Sequence, residues 1–234
     1  MNGPEPTTQA QTRAQIALTG ATGCIGRVLH QGLTRRGHDV TPLARSLGTD
    51  FGNPDHLARA FDGRDAVIHL AWGYAQNPQT AAASYSANLE LNRTVLHAAR
   101  DAEVPRVLMA SSVHADYFYD HTGDDLISPQ RDPRGNGPYG CAKVIAEQDA
   151  QAVAKTGLDV VCLRYGAVTT DNQPHPTDPW EQRVFLDHED LLNLIEAILR
   201  SPVEPTRCTT LYAVSDNPGR VHDTINPFDW QPPN

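Results

Sequence analysis

Tyr139 and Lys143 stand four residues apart in the stretch Tyr139-Gly140-Cys141-Ala142-Lys143. On a helix, four residues rise about 6 Å and return almost to the same face, so the phenol and the ammonium would sit one turn apart. An unperturbed phenol titrates at about 10, and a neighbouring cation favours its ionised form, so such a pair can take up and return a proton. The chain holds only two lysines, Lys143 and Lys155, against seventeen arginines, so composition alone rarely produces this spacing. The surrounding chain must decide between that role and a surface tyrosine beside a solvated lysine.

A framework able to hold the pair is written along the chain. The apolar run Gln15 to Thr19 leads into Gly20-Ala21-Thr22-Gly23-Cys24-Ile25-Gly26, and an amphipathic segment with Ile25, Val28, Leu29 and Leu33 follows, stopped by Gly37. This order predicts a strand, a glycine turn and a helix. Glycines three apart let the backbone turn tightly and approach a pyrophosphate, while the helix N-terminus offers unpaired amides. The alternative, an ordinary strand-to-helix turn, is weakened because the pattern sits at the first ordered strand and opens a helix.

The second strand is expected over 38–45, with Pro42 as an irregularity. Arg45 at its end can meet a 2′-phosphate, which favours NADP, with NAD possible. Asp50 and Phe51 follow on a loop where adenine contacts are expected. A short helix at 55–61 precedes a buried strand at 65–71, in which His69 reads as a satisfied core histidine and Leu70 and Ala71 as cofactor contacts. A long helix at 80–101 carries Asn88, and a strand at 104–110 ends in Ser111-Ser112, beside the crevice where parallel sheets bind ligands.

Residues 113–138 are long, polar and rich in Tyr, Asp and Pro, so they read as a substrate-side loop. A helix from Tyr139 to about 156, a strand at 158–163, and Arg164-Tyr165-Gly166-Ala167 at that strand's carboxyl end come next. Five of the ten residues from Asp171 to Trp180 are Pro or Asp, which predicts an irregular flap. Asp187 starts a helix, 209–214 is the last strand, and the remainder is irregular. The whole predicts an α/β fold, a doubly wound parallel sheet of Rossmann type with a small C-terminal substrate-side extension. It forms one domain over 15–234, with substrate-binding segments at 113–138 and 167–190, behind a disordered tail at 1–14.

A formal charge of -9 and a pI near 5.5, with no basic patch denser than Arg35-Arg36, argue against nucleic acid or an anionic membrane as partner. Cys24, Cys141, Cys162 and Cys208 are too scattered for a zinc site or a disulfide framework, so no metal is expected and a cytoplasmic protein fits best. The polar tail does not read as a signal peptide, and no apolar run approaches membrane-spanning length.

The glycine turn TGxxGxxG, a strand ending in VIHLA, another ending in Ser-Ser, and Tyr-x-x-x-Lys some thirty residues on resemble the extended short-chain dehydrogenase/reductase family, also called the NAD-dependent epimerase/dehydratase family. The resemblance runs from about Gln15 to Leu199. Ser111-Ser112-Val113-His114, the run 185–190 and the segment Ser215-Asp216-Asn217 are most similar to uronate dehydrogenase-like members.

The resemblance implies an oxidoreductase that passes a hydride between a nicotinamide cofactor and a sugar-like or other polyhydroxylated small molecule. Tyr139 would be the acid/base, Ser112 would hold the substrate oxygen, and Lys143 would support the phenolate and bind the nicotinamide ribose. It also implies Asn88 and Tyr165 near the cofactor, His114 near the substrate, and a homodimer through the helices following Thr80 and Tyr139. Two departures bear on the substrate: Val113 replaces an asparagine of uronate dehydrogenases and Ala167 replaces a serine. Arg183 is the candidate partner for a substrate carboxylate.

A nucleotide-sugar epimerase or dehydratase would use the same fold. However, the stretch after Gly166 is short for a nucleotide-binding lobe, and Val113-His114-Ala115-Asp116 lacks the Asp-Glu pair of dehydratases. A non-enzymatic dinucleotide sensor is the other alternative; such members commonly lack the tyrosine that this chain keeps.

Overall fold

Six strands and six helices alternate in a computed structural model that describes residues 13–73, 80–122 and 125–233; residues 1–12, 74–79, 123–124 and 234, and with them most of the expected tail, lie outside the described residues. Ala14 is already tied to the sheet: its N–H donates to His38 Nδ1 at 3.1 Å and its carbonyl accepts from Asp39 N–H at 2.9 Å. The strands are β1 (Gln15–Thr19), β2 (Asp39–Leu43), β3 (Ala66–His69), β4 (Arg106–Ser112), β5 (Asp159–Tyr165) and β6 (Cys208–Ala213). The helices are α1 (Cys24–Arg35), α2 (Pro54–Phe61), α3 (Ala81–Asp101), α4 (Gly137–Ala154), α5 (Pro179–Val184) and α6 (His188–Arg200).

All pairings are parallel, in the order β2-β1-β3-β4-β5-β6, so the doubly wound fold expected from the sequence is the one observed. The chain winds outward from β1 to β2 and then returns to build the other side through β3, which leaves a crevice at the carboxyl ends of β1 and β3. Helices cover both faces, and this explains why β3 and β5 read as continuous apolar runs and not as alternation. Leu29 and Leu33 of α1 and Leu191, Leu194 and Ile195 of α6 fill one side of the core. On the other, Leu57 and Phe61 of α2 and Val95 and Leu96 of α3 meet an alanine row, Ala146, Ala150 and Ala154, of α4. Spaced four apart, those small residues share one face of α4 and bring it close to the sheet.

Several boundaries differ from the sequence reading for local reasons. β2 stops at Leu43, and Arg45 opens a 3₁₀ turn to Leu47. Pro42 stays inside β2, paired with Leu18, because β2 is an edge strand where a missing N–H can face away from the sheet. α4 begins at Gly137 with Pro138 in its first turn, so Tyr139 lies inside the helix and does not start it. β5 runs two residues further than the 158–163 expected, so Arg164 and Tyr165 are buried within it. The irregular C-terminal segment is packed: Val221 joins a small cluster with Val113 and Phe118, and Phe228 and Trp230 seat against the α1 and α6 side of the core. No helix among the described residues is long and apolar enough to cross a membrane.

His69 is the core histidine the sequence predicted, held between Thr19 Oγ1 at 2.7 Å and Asn92 Oδ1 at 2.8 Å. Burial pushes its imidazole down to about 4 and that of His222 to about 3. An imidazole whose pKa is depressed on folding stays neutral while the unfolded chain binds a proton, so stability is full above about 6.5 and falls as pH drops towards 4. Both ring nitrogens of His222 are without partners among the described residues, between Phe118 and Tyr212 at 5.1 and 4.4 Å. His222→Phe is expected to hold or raise stability at pH 7 and to flatten its acid loss, read as urea midpoints between pH 7 and 4.

Candidate active site

The carboxyl ends of β1, β3, β4 and β5 open into a cleft of about 660 Å³. Its floor is the glycine turn. Gly20 adopts φ 69°, and a Cβ there would come within 2.7 Å of the Ala71 nitrogen; a Cβ on Gly26 would lie 2.2 Å from the Gly20 carbonyl oxygen. Both positions therefore require glycine, for the turn and for the close approach of α1 to it. Gly23 is the N-cap of α1 and no side chain caps the helix, so the first-turn amides keep their hydrogen-bonding capacity and the positive end of the helix dipole faces the cleft. Such a bare, glycine-lined N-terminus fits a pyrophosphate.

Thr22, Cys24 and Ile25 line the cleft along the turn, Leu70 and Ala71 line it at the end of β3, and Phe51 closes it from the β2 side. Arg45 sits exposed at the lip without a salt bridge among the described residues, next to Ser46, whose hydroxyl donates to Thr22 Oγ1 at 3.3 Å. Two expected cofactor contacts are not in the lining. Asp50 turns its carboxylate back to the Gly52 N–H at 2.9 Å. Asn88 grips Gly73 from both ends of its amide, accepting from its N–H and donating to its carbonyl, each at 2.7 Å, and so fixes the cleft wall without facing the cavity.

Lys143 is almost fully buried at 2% exposure on the face of α4 that meets β4. Its Nζ donates to the Ala110 carbonyl at 3.0 Å and lies 3.5 Å from the centre of the Trp72 ring, while the Tyr139 ring centre is 5.7 Å away. Burial pushes the ammonium down to about 7, with the carboxylate of Glu147 one turn along opposing that shift. Trp72, which the sequence reading passed over, meets Tyr139 edge-to-face at 5.9 Å and gives the cation a π face. Its only signal was an aromatic residue directly after the VIHLA strand.

The paired serines divide their tasks, as neighbours on a strand must when successive side chains face opposite sides. Ser111 donates to Glu147, which also takes two hydrogen bonds from Arg164 at 2.9 and 2.8 Å. Ser112 accepts from the His114 N–H at 3.2 Å and faces both the cleft and a second pocket of about 390 Å³. Ser112, Tyr139, Tyr165 and Gly166 line both cavities and form the junction between them. The Tyr165 hydroxyl has no partner among the described residues, and burial pushes its pKa up, so it stays protonated as a donor.

Val113, His114 and Ala167, the residues the sequence reading put near the substrate, line the second pocket. His114 holds the Asn136 amide at 3.2 Å and its ring lies 5.9 Å from that of Tyr139. Arg183 is not in the lining of either cavity: its guanidinium stacks over Trp180 at 5.1 Å, on the side facing Gly219. The pocket is completed by Phe118, Tyr119, Asp178, Trp180 and Glu181, which lie in loop segments and α5 without a recognisable spacing. Among the described residues no His, Cys, Asp and Glu cluster could hold a metal ion.

Residues 16–184 match the model of the NAD dependent epimerase/dehydratase family. The chain belongs to that family. It is 34% identical to the L-arabinose 1-dehydrogenase (NAD(P)(+)) of Haloferax volcanii over 68% of this chain and 69% of that protein. It is 28% identical to the uronate dehydrogenase of Pseudomonas syringae pv. tomato over 87% of this chain and 75% of that one. A crystal structure of uronate dehydrogenase from Agrobacterium tumefaciens, a mutant complexed with NAD, superposes with a TM-score of 0.76 at 22% identity, covering 95% of this chain and 86% of that one. The superposition establishes the shared fold.

Proposed function

We propose that the chain is an NAD(P)-dependent oxidoreductase of the short-chain dehydrogenase/reductase type, acting on a sugar-like or other polyhydroxylated small molecule. The observation that carries this reading is the junction itself: Tyr139 and Ser112 stand between a glycine-floored cleft suited to a dinucleotide and a separate pocket suited to a small substrate. The names of the arabinose and uronate dehydrogenase relatives support it.

The residues present fit the cofactor. The turn Gly20 to Gly26 would hold the pyrophosphate, Phe51 the adenine side, and Lys143 and Tyr139 the nicotinamide end. Bound there, the dinucleotide supplies the hydride acceptor or donor. Tyr139 takes the proton from the substrate hydroxyl at its phenol oxygen, and returns it in the reductive direction. Ser112 holds that substrate oxygen by a hydrogen bond. Lys143, buried between Trp72 and the Ala110 carbonyl, places positive charge beside the phenol and favours its ionised form.

An exposed Arg45 with no salt bridge among the described residues favours NADP, because a planar guanidinium suits a 2′-phosphate. Arg45→Ala is expected to raise KM for NADP by about 10- to 100-fold and to change KM for NAD little. Assays with both dinucleotides over uronates, aldoses and keto-sugars test the function and the preference together; a clear preference of the unaltered protein for NAD overturns the role of Arg45. The four unpaired cysteines favour a cytoplasmic protein, and a homodimer across α3 and α4 is supported by the exposed Ile145 on α4.

A further inference from the structure

Among the described residues, no positively charged side chain lines the pocket beyond Ser112. No lysine or arginine lines it, and burial pushes the His114 imidazole towards its neutral form. The arginines around it are engaged elsewhere: Arg131 and Arg134 on Asp116 and the Tyr117 carbonyl, Arg164 on Glu147, and Arg183 over Trp180. Residues 1–12, 74–79, 123–124 and 234 contain no lysine, arginine or histidine, so none of these segments brings a cation of those types.

What does line the pocket is a pair of carboxylates and an aromatic wall. Asp178 caps α5 through Oδ1, and Glu181 accepts from the His175 N–H through Oε1; the second oxygen of each is without a protein partner among the described residues. Phe118 and Tyr119 stack with ring centres 4.3 Å apart, and Trp180 meets Tyr119 edge-on at 5.0 Å. Tyr165, 4% exposed, contributes to the lining where this pocket meets the cleft.

A substrate carboxylate would meet two like charges here and no counter-ion, and such a juxtaposition is a discriminating element. An uncharged sugar meets complementary chemistry: its C–H face lies on the aromatic wall and its hydroxyls donate to the two carboxylates. We propose that this pocket, within the oxidoreductase reading on which the inference rests, selects an uncharged polyhydroxylated substrate with one apolar face and rejects the carboxylated counterpart, with Asp178 and Glu181 setting that specificity.

Matched pairs, glucose with glucuronate and galactose with galacturonate, separate the charge rule from the underlying reaction. Calorimetry on the full chain loaded with NADP reads binding, and dinucleotide absorbance reads turnover. The neutral member of each pair is expected to bind at least about 10-fold more tightly, and Glu181→Arg to shrink or invert that ratio. Tighter binding of the uronates by the unaltered protein overturns the charge rule. Neutral preference in binding without absorbance change for any pair keeps the charge rule and removes the oxidoreductase reading. Binding of neither member overturns both.

Discussion

Replacing Tyr139 by phenylalanine is expected to lower turnover by about 10²- to 10⁴-fold while leaving dinucleotide affinity within a few-fold of the original. In the proposed reaction the phenol oxygen of Tyr139, at the junction of the two cavities and one helical turn from the Lys143 ammonium, takes up and returns the proton of the substrate oxygen. The ring itself packs against Trp72 and His114, contacts that phenylalanine keeps. Turnover with an identified substrate checks the loss, and quenching of protein fluorescence by NADPH checks the retained binding. Full turnover in the variant would move the proton transfer to another group.

The second large effect is on stability. Glu147 and Arg164 form a salt bridge at 2.8 Å with side chains 4% and 2% exposed, and the Tyr212 hydroxyl and Ser111 complete the network. Taking away one partner leaves a buried charge uncompensated, so Glu147→Ala is expected to cost about 3–5 kcal/mol and to lower Tm by about 10 °C. Substituting both partners, Glu147→Met with Arg164→Met, should recover much of that loss, since apolar side chains of similar size remove both charges together. Denaturant midpoints of the two variants decide it: an equally large loss in the double variant would mean that packing, and not the unpaired charge, sets the cost. Glu147 also opposes the burial of the Lys143 ammonium, so its removal lowers the Lys143 pKa further.

How much was legible in the sequence follows from the range of each interaction. The glycine turn, the helix that follows it, and the spacing of Tyr139 and Lys143 are local, and local backbone chemistry dictated them: Gly20 and Gly26 are glycine because a Cβ would strike the neighbouring backbone. Arg45 and Ser112 could be located at the cleft from the sequence because strand ends in a parallel sheet open on one crevice. Asn88 was read as a ligand contact and is a brace on Gly73, a distinction that depends on a loop fifteen residues away in the chain. Arg183 was offered to a carboxylate and stacks on Trp180 instead, because α5 turns it out of the pocket lining.

The buried charges divide in the same way. Arg164 read as a strand-end residue because an apolar run followed by arginine resembles a strand terminus; β5 continues because Glu147, seventeen residues earlier on α4, neutralises the charge inside the sheet's cover. By itself the sequence determined the fold class, the glycine turn and the one-turn spacing of Tyr139 and Lys143, all set by short-range spacing and by hydrophobic period. Only the tertiary structure decided what stands around that pair: Trp72 against Lys143, and two carboxylates and an aromatic wall beyond Ser112, with no lysine or arginine in that lining among the described residues. Those neighbours come from segments far apart in the chain, and their meeting depends on how the loops after β4 and β5 pack over the sheet, which no spacing in the sequence encodes.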